Sequence, residues 1–219
     1  MKDKYKMSIE ENIFIAKRML VDVVYKSANL EGIAVTFAQT IDILNDINVE
    51  NVKPSEIGKV CCLRDAWQYI IDNINENLDL AFLENLHYFV TKTELEYKYV
   101  GTIRTNDVLI SGTSWRPEIP NPDKLHFELI NLLNLENNTD RALSIMLWIM
   151  RKQIFKDGNK RVATLIANKI LIENGCGILS IPVKHDGKFK SMLIKYYETN
   201  EITEIKNWLY DNCIDGINE

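Results

Sequence analysis

The amino-acid sequence predicts an all-α fold, a helical bundle that carries one β-hairpin. Three observations support this prediction. Apolar residues recur at helical spacing, every three or four positions, over most of the 219 residues. Helix start and stop signals lie at the ends of these apolar segments. Residues that favour β-strands cluster in one stretch near the middle of the chain.

The N-terminal part of the chain predicts two helical segments. Ser8 is followed by Glu11 at the spacing of a capping box, and apolar positions then recur until about Leu30. Gly32 is expected to stop or sharply bend this helix, because glycine readily adopts the left-handed conformation that ends helices. A second apolar pattern follows from residue 33 to residue 47.

Two further helices are predicted before the β-prone stretch. Pro54 and Ser55 suit the first positions of a helix, and its apolar pattern continues to Ile71. Leucines between residues 78 and 86, followed by Phe89, indicate the next helix.

The central stretch predicts the hairpin and a loop. Short β-prone runs at residues 97–104 and 108–112 are joined around residues 105–107, as in a β-hairpin. The proline-rich segment 115–122 predicts an extended loop, because proline has no amide donor. The helical patterns that follow cover residues 123–135, 140–155, 160–174, 188–198 and 201–212.

Composition limits the classes of function. A net charge of -5 and a pI near 5.4 argue against nucleic acid as a partner, because such binding normally needs a basic face. No membrane segment is expected, since the longest apolar run, residues 145–150, is too short to cross a bilayer. The four cysteines lack zinc-binding spacing, and the N-terminus lacks an apolar signal segment. A cytoplasmic protein is therefore expected.

The most informative segment, residues 153–161, lies between two helical patterns. It contains Asp157 and Gly158, followed by an asparagine and two cations. A turn at the start of a helix presents free N–H groups, and adjacent cations favour an anion such as a nucleotide phosphate. The segment lacks the alternating ligands of an EF-hand and the spacing of a Walker A loop. A surface turn without a ligand stays open as an alternative.

Residues 153–161, Gln-Ile-Phe-Lys-Asp-Gly-Asn-Lys-Arg, resemble the signature of the Fic/Doc (Fido) family, written H-x-F-x-D/E-G-N-G/K-R. The resemblance is good from about residue 79 to residue 174. It implies a Fic-type helical bundle in which the predicted hairpin is a flap. It also implies N-terminal helices in residues 1–52, a Fic core in residues 53–180 and C-terminal helices in residues 181–219.

A second motif lies near the N-terminus. Ser27, Glu31 and Gly32 resemble the S/T-x-x-x-E-G/N inhibitory motif of the same family, which implies a regulatory role. Taken alone, these residues would indicate only a solvated helix end. Thr164 stands where many members carry an arginine that pairs with the inhibitory glutamate. Glu31 is then left to pair with another cation of the signature, Lys160 or Arg161, or else the inhibitory role is lost.

The resemblance also implies an activity and its cofactors. Members typically transfer AMP from ATP to a hydroxyl of a target protein, and Doc-type members transfer a phosphate. ATP and Mg²⁺ are the implied cofactors, with Asp157 as the metal ligand. Amides of Gly158, Asn159 and Lys160 would bind phosphates. The side chains of Lys160 and Arg161 would neutralise charge on the leaving group.

The resemblance further implies a protein partner. The flap would pair with an extended segment of the target protein by strand addition. Its residues are Val108, Leu109, Ile110, Ser111 and Gly112. Pairing of two copies into a homodimer is compatible with the acidic surface but is not required by it.

The catalytic position is the main departure from the signature. Gln153 replaces the histidine that deprotonates the attacking hydroxyl, and a glutamine amide cannot act as a base. Three functions stay open: a weak or altered transferase, a catalytically inactive nucleotide-binding pseudoenzyme, and a helical interaction protein. His87, His126 and His185 lie outside the signature, and His126 is expected to lie nearest the site.

Overall fold

Ten α-helices make up most of the structure, a computed structural model that describes residues 1–217. The helices are α1 Ile9–Arg18, α2 Leu20–Leu30, α3 Phe37–Leu44, α4 Pro54–Asp72, α5 Leu80–Thr91, α6 Pro122–Leu133, α7 Asn138–Lys152, α8 Asn159–Glu173, α9 Asp186–Thr199 and α10 Thr203–Cys213. Two strands, β1 Ile178–Leu179 and β2 Ile214–Asp215, form a small antiparallel sheet. The predicted all-α class is confirmed.

The helix ends follow the local sequence signals. Ser8 and Glu11 form the predicted capping box, in which the Glu11 amide donates to Ser8 Oγ at 3.1 Å. The predicted first helix is interrupted at Met19, where a ψ of 0° turns the chain between α1 and α2. Gly32 has a φ of 77° and ends α2, while the Ile33 amide donates to Ala28 O at 3.0 Å. This pattern satisfies carbonyl groups that the helix end would otherwise leave free.

Helices α7 and α8 form the centre of the molecule. They pack against each other, and α1, α4 and α5 surround α8. Nearly every residue of α8 is buried, including polar side chains such as Asn168 and Lys169. A smaller core cluster joins α2, α3 and α4 through residues such as Val24, Val60 and Leu63. The turn between α7 and α8 is therefore held by two helices whose residues are mostly buried.

The predicted β-hairpin at residues 97–112 is wrong. Residues 97–99 form a 3-10 turn and residues 102–110 contain no strand. Within residues 1–217 the only sheet pairs Ile178 with Asp215 and Leu179 with Ile214. β-prone side chains favour a pleated, half-buried surface but do not provide a partner strand. The segment is instead fixed by contacts with the end of α7. The proline-rich stretch that follows is an extended loop, as predicted.

No helix in residues 1–217 combines the length and apolar character needed to cross a bilayer. The four cysteines are free thiols, and three of them are buried. Burial raises the pKa of the Cys176 and Cys213 thiols to about 12, so both are protonated and unreactive near neutral pH.

Candidate functional site: a cleft at the start of helix α8

The turn between α7 and α8 contains two left-handed residues. Gln153 ends α7 with a φ of 49°, and Gly158 begins α8 with a φ of 76°. A side chain at Gly158 would also lack space, because an added Cβ would lie 2.8 Å from Thr91 Cγ2. Glycine is thus required at this position both by backbone conformation and by the closeness of α5.

Asn159 holds the turn in shape through its buried amide side chain. Its Oδ1 accepts from the Phe155 amide at 2.9 Å, and its Nδ2 donates to the Phe155 carbonyl at 2.8 Å. Phe155 is fully buried, as expected for a residue that supports the turn. Asn159 therefore acts through its side chain as a brace, in addition to offering its own backbone amide.

The amides at the start of α8 form an anion-binding arrangement. The first bond within the helix is donated by the Val162 amide to Gly158 O at 3.0 Å, so the three preceding amides have no acceptor within the helix. The Gly158 amide donates to the Asp157 carboxylate at 2.6 Å. The positive end of the α8 helix dipole lies at these amides, so a negative charge is favoured there.

Asp157 is the carboxylate best placed to hold a metal ion. Its side chain is 62% exposed and lies at the cleft. Residues 1–217 contain no cluster of three or more histidine, cysteine or carboxylate side chains that would hold a metal alone. Mg²⁺ is commonly bound through one or two carboxylates together with phosphate oxygens and water. Asp157 therefore fits Mg²⁺ that arrives with a phosphate ligand.

The turn opens into a cleft of about 540 Å³. One wall is the turn itself, a second is formed by residues 108–111 of the flap, which we call the flap segment, and a third is formed by α9. The lining residues are Glu31, Val108, Leu109, Ile110, Ser111, Gln153, Lys156, Asp157, Gly158, Asn159, Lys160, Lys190, Leu193, Ile194 and Tyr197. The structure thus brings together every predicted site residue except Arg161, Ser27, Gly32 and Gly112.

Both polar atoms of the Gln153 side-chain amide form hydrogen bonds. Its Nε2 donates to Met150 O at 2.6 Å, and its Oε1 accepts from Asn159 Nδ2 at 3.1 Å. Tyr197 of α9 also lines the cleft and offers no substitute base near neutral pH, because burial raises its pKa well above the usual value and a hydrogen bond with Gln153 offsets this only in part. Glu31 and Asp157 are the two carboxylates among the residues that line the cleft.

Glu31 pairs with Lys160 across the cleft. Its Oε1 lies 3.4 Å from Lys160 Nζ, and their side chains are 16% and 30% exposed, respectively. The contact is between charges and is not a directed hydrogen bond, since Glu31 Oε1 has no hydrogen-bond donor. Gly32 lies just outside the cleft and ends the helix at Glu31, while the carbonyl of Ser27 accepts from the Glu31 amide at 3.3 Å.

The structure corrects the expectation for Arg161. Its guanidinium is buried, forms an ion pair with Glu94, and does not line the cleft. Burial alone would lower the pKa of Arg161, but the hydrogen bonds that it donates to Glu94 and the charge of Glu31 raise it above the usual value. Helix geometry explains the difference, because Arg161 points toward α5 while Lys160 points into the cleft.

His87, which lies outside the signature, supports the turn. His87 is fully buried on α5 and stacks on Phe155, with ring centroids 4.0 Å apart. Its Nδ1 accepts from the Gly101 amide at 2.9 Å, so its Nε2 is the atom that donates to Asp157 O at 3.1 Å. His126 is exposed on α6 and does not line the cleft. No sequence signal distinguished the two histidines.

The flap segment lines the cleft with residues 108–111 and contacts α9 beyond it. Leu109 is 74% exposed. Thr113 Oγ1 donates to Glu198 at 3.0 Å, and an added Cβ at Gly112 would lie 3.1 Å from Ile194 Cδ1. The segment is therefore an extended wall of the cleft, close to α9, with no partner strand among the described residues.

Comparison with known proteins supports the resemblance over the central part of the chain. Residues 77–171 match the sequence profile of the Fic/DOC family. Comparison with curated proteins finds no match.

Several solved structures resemble this one. A Fic domain containing signaling protein from Bacteroides thetaiotaomicron aligns with a TM-score of 0.76 and 20% identity, over 89% of this chain and 82% of that one. Fic-1 from C. elegans aligns with a TM-score of 0.73 and 18% identity, over 87% of this chain and 58% of that one. BepC from Bartonella tribocorum, solved with bound AMPPNP, has a TM-score of 0.51 and 14% identity, over 71% and 86% of the two chains. The chain therefore has the fold of Fic-domain proteins, and its residues 77–171 match the Fic/DOC family.

Proposed function

We propose that this protein binds Mg²⁺ and ATP in the cleft at the start of α8 and transfers AMP slowly to a hydroxyl of a target protein. One observation carries the proposal: free amides, an exposed carboxylate and a lysine converge on a cleft that an extended segment also lines. This combination suits a metal-bound polyphosphate better than an uncharged ligand. The match of residues 77–171 to the Fic/DOC family supports the same reading.

Each group has a defined part in this proposal. The amides of Asn159 and Lys160 donate to phosphate oxygens, and the Lys160 ammonium balances charge that develops on the leaving pyrophosphate. Mg²⁺, when bound, withdraws charge from the phosphate oxygens. Asp157 is the metal ligand, held in place by His87 at its carbonyl. The oxygen of the target hydroxyl attacks the α-phosphorus, the bond from that phosphorus to the oxygen bridging to the β-phosphorus breaks, and pyrophosphate leaves. The hydroxyl proton passes to solvent water, because Gln153 cannot accept it, and the transfer is therefore slow.

The target protein is expected to lie along the flap segment. Residues 108–111 line the cleft, and their backbone groups have no partner strand among the described residues. A target segment in extended conformation can add there by main-chain hydrogen bonds, which would bring a serine, threonine or tyrosine hydroxyl toward Gln153. The solvent-facing side chain of Leu109 adds an apolar contact.

Glu31 restrains this activity in our proposal. Its carboxylate neutralises Lys160, the cation that a phosphate group would need, and adds negative charge at the entrance of the phosphate site. Phosphate binding must therefore displace the Glu31–Lys160 contact. The second signature arginine is absent, and Lys160 takes over as the partner of the glutamate.

The second candidate function is a nucleotide-binding pseudoenzyme that acts as a sensor or protein-interaction module. The hydrogen bonds of Gln153 favour it, because both ends of its amide are already bound within the turn. Loss of a general base costs on the order of 10²–10⁴ in rate, whereas binding by amides, metal and lysine is unaffected. A nucleotide is the expected ligand in both cases, in keeping with the AMPPNP bound to BepC.

Incubation with labelled ATP distinguishes the two functions. The protein is mixed with Mg²⁺, a cell lysate and ATP labelled at either the α- or the γ-phosphate. Label from the α-position alone indicates AMP transfer, and label from the γ-position alone indicates phosphate transfer. We expect Gln153→His to increase transfer about 100-fold or more, because it restores a base. Glu31→Gly should increase it further.

Gln68→His is the matched control, since Gln68 is exposed on α4 and donates only to Asp72. It should leave transfer unchanged. If ATP binds but no variant labels any protein, the pseudoenzyme is the correct reading. Absence of ATP binding in every variant would contradict both functions.

A further inference from the structure

Arg104 is a buried arginine without a carboxylate partner. It is 4% exposed, and no ion pair to it forms within residues 1–217. Burial lowers its pKa, and the charge of Asp107 only partly offsets this effect. Burying a charged group without a counterion is costly unless its donors are all satisfied. The hydrogen bonds of Arg104 therefore indicate what this side chain does.

All of the acceptors of Arg104 are backbone carbonyls, and they fall into two groups. The first group lies at the end of α7, where Nε donates to Gln153 O by a short hydrogen bond and NH2 lies 3.4 Å from Lys152 O. Carbonyls at a helix C-terminus are free and carry partial negative charge, so a cation there is favourable. The Arg104 amide also donates to Ile154 O at 3.0 Å.

The second group lies at the two ends of one loop. NH1 donates to Asn106 O at 2.7 Å, and NH2 donates to Glu118 O at 2.6 Å. Residues 106–118 form the loop between these carbonyls, and we name it the 106–118 loop. It contains the flap segment. A single guanidinium thus closes the base of the loop, as in a compact Ω-type loop whose ends lie close together.

We propose that Arg104 is a positioning residue that fixes the 106–118 loop to the end of α7, so that the flap and Gln153 keep one relative position. The planar fork of the guanidinium suits this role, because it presents five donors in fixed directions. Lysine keeps the charge but cannot reach carbonyls on both sides at once. Arg104 lies outside the lining of the cleft and so acts only through the residues that it holds.

The left-handed backbone conformation of Gln153 needs the support that Arg104 gives. A residue other than glycine in the left-handed region is strained, and such conformations persist only where surrounding contacts fix them. Arg104 binds its carbonyl, and Asn159 binds its side chain. Removal of the Arg104 guanidinium breaks its hydrogen bonds to the carbonyls at the end of α7 and to both ends of the 106–118 loop at the same time.

Hydrogen exchange of individual amides tests the proposal in the apo protein. Three amides report on it: Arg104, bonded to Ile154 O; Gln153, bonded to Ile149 O; and Trp115, bonded to Thr113 Oγ1. In Arg104→Lys we expect all three to exchange at least about tenfold faster, as for the loss of hydrogen bonds to a charged group. Amides in the middle of α8 should keep their rates.

Arg141→Lys is the matched control, because Arg141 also donates to a backbone carbonyl, Leu135 O, at the other end of α7. It should change none of the three reporter rates. Unchanged exchange at Trp115 or at Gln153 in Arg104→Lys would overturn the proposal. So would an equal acceleration throughout α8, since that would indicate general destabilisation.

The wild type offers an independent measurement if Arg104→Lys does not fold. In low concentrations of urea, the three reporter amides should show the same free energy of local opening. The reason is that the Arg104 side chain holds both the end of α7 and the ends of the 106–118 loop. Different opening free energies would contradict the proposal.

The consequence for ligand binding rests on the proposed function, whereas the exchange result does not. In the presence of Mg²⁺, Arg104→Lys should bind ATP at least about tenfold more weakly than Arg141→Lys does, because the flap and the end of α7 would no longer keep their relative position. If neither variant nor the wild type binds ATP, the proposed function fails while the exchange data still decide the role of Arg104. Equal ATP affinity in the two variants would show that the loop does not position the cleft.

Discussion

Gly158 lies where the turn comes closest to α5. Its φ of 76° and the 2.8 Å between an added Cβ and Thr91 Cγ2 leave room only for a hydrogen atom. We expect Gly158→Ala to lower the free energy of unfolding by about 2–4 kcal/mol, through overpacking and left-handed strain together. Urea unfolding followed by circular dichroism measures this change.

The control for this prediction is Gly187→Ala. Gly187 lies in α9, and an added Cβ there would meet no atom within 4 Å. This variant should be as stable as the wild type or slightly more stable, because alanine favours helix. Equal effects of the two substitutions would show that the turn is not tightly packed.

His87 predicts a pH dependence of stability. Burial lowers its pKa from 6.5 to about 4 in the folded protein, so between these values the unfolded chain binds more protons. The free energy of unfolding should therefore fall as the pH decreases from 6.5 to 4, by up to about 3 kcal/mol. His87→Gln should remove this part of the dependence, since glutamine does not titrate in this range.

Carboxylates also titrate in this range, so the comparison with a control decides the result. His126→Gln changes an exposed histidine on α6 and should keep the wild-type slope. Stability measured from pH 7 to pH 4 for the three proteins provides the test. A wild-type slope in His87→Gln would show that His87 is not buried in its neutral form.

At the scale of elements, α5 and α8 are joined by a buried ion pair. Arg161 of α8 and Glu94, just after α5, have side chains that are 4% and 8% exposed, and Lys59 of α4 lies 3.1 Å from Glu94. Glu94→Gln would remove the carboxylate that is hydrogen-bonded to the buried guanidinium and leave it only Asp157, whose Oδ1 lies 4.0 Å from NH2. We expect the free energy of unfolding to fall by about 3–5 kcal/mol.

The exposed Glu96 provides the control for the ion pair. It pairs with Lys98 at 2.8 Å, and both side chains are more than half exposed. Glu96→Gln should leave the free energy of unfolding almost unchanged, as for exposed surface ion pairs in general. A similarly small effect of Glu94→Gln, measured by urea unfolding, would contradict a structural role for Arg161.

The elements differ in how far sequence could predict them. Helices such as α4 and α8 follow from apolar spacing and capping residues, which are local signals. The flap segment was predicted as a hairpin because its side chains favour strands, yet a strand needs a partner that sequence does not specify. Its position depends instead on Arg104, through contacts between residues distant in sequence.

In the candidate site, too, sequence predicts local structure but not contacts between residues that are distant in the chain. Asp157, Gly158 and Lys160 could be predicted as cleft residues, because the turn and the following helix are local structure. The buried position of Arg161 and the support from His87 both depend on where α5 packs against the turn. Neither the charge of an arginine nor the presence of a histidine reveals such packing.

At the scale of the whole molecule, the described helices support one cleft from several directions. The central pair α7 and α8 provides the turn, α2 brings Glu31, α9 provides a wall, and the 106–118 loop provides the opposite wall. Access of a phosphate group to the amides of α8 then depends on the contact between Glu31 and Lys160. Ligand binding therefore depends on the positions of all these elements together.

Calorimetric titration with ATP and Mg²⁺ tests the central claim most directly, that the turn at the start of α8 binds a metal-associated polyphosphate. The wild type, Glu31→Gly and Asp157→Asn are compared, with Asp123→Asn, at an exposed residue of α6, as the control. We predict binding to the wild type, tighter binding to Glu31→Gly, and at least about tenfold weaker binding to Asp157→Asn alone. Absence of binding to both the wild type and Glu31→Gly, or equal affinity of the two asparagine variants, would contradict the claim.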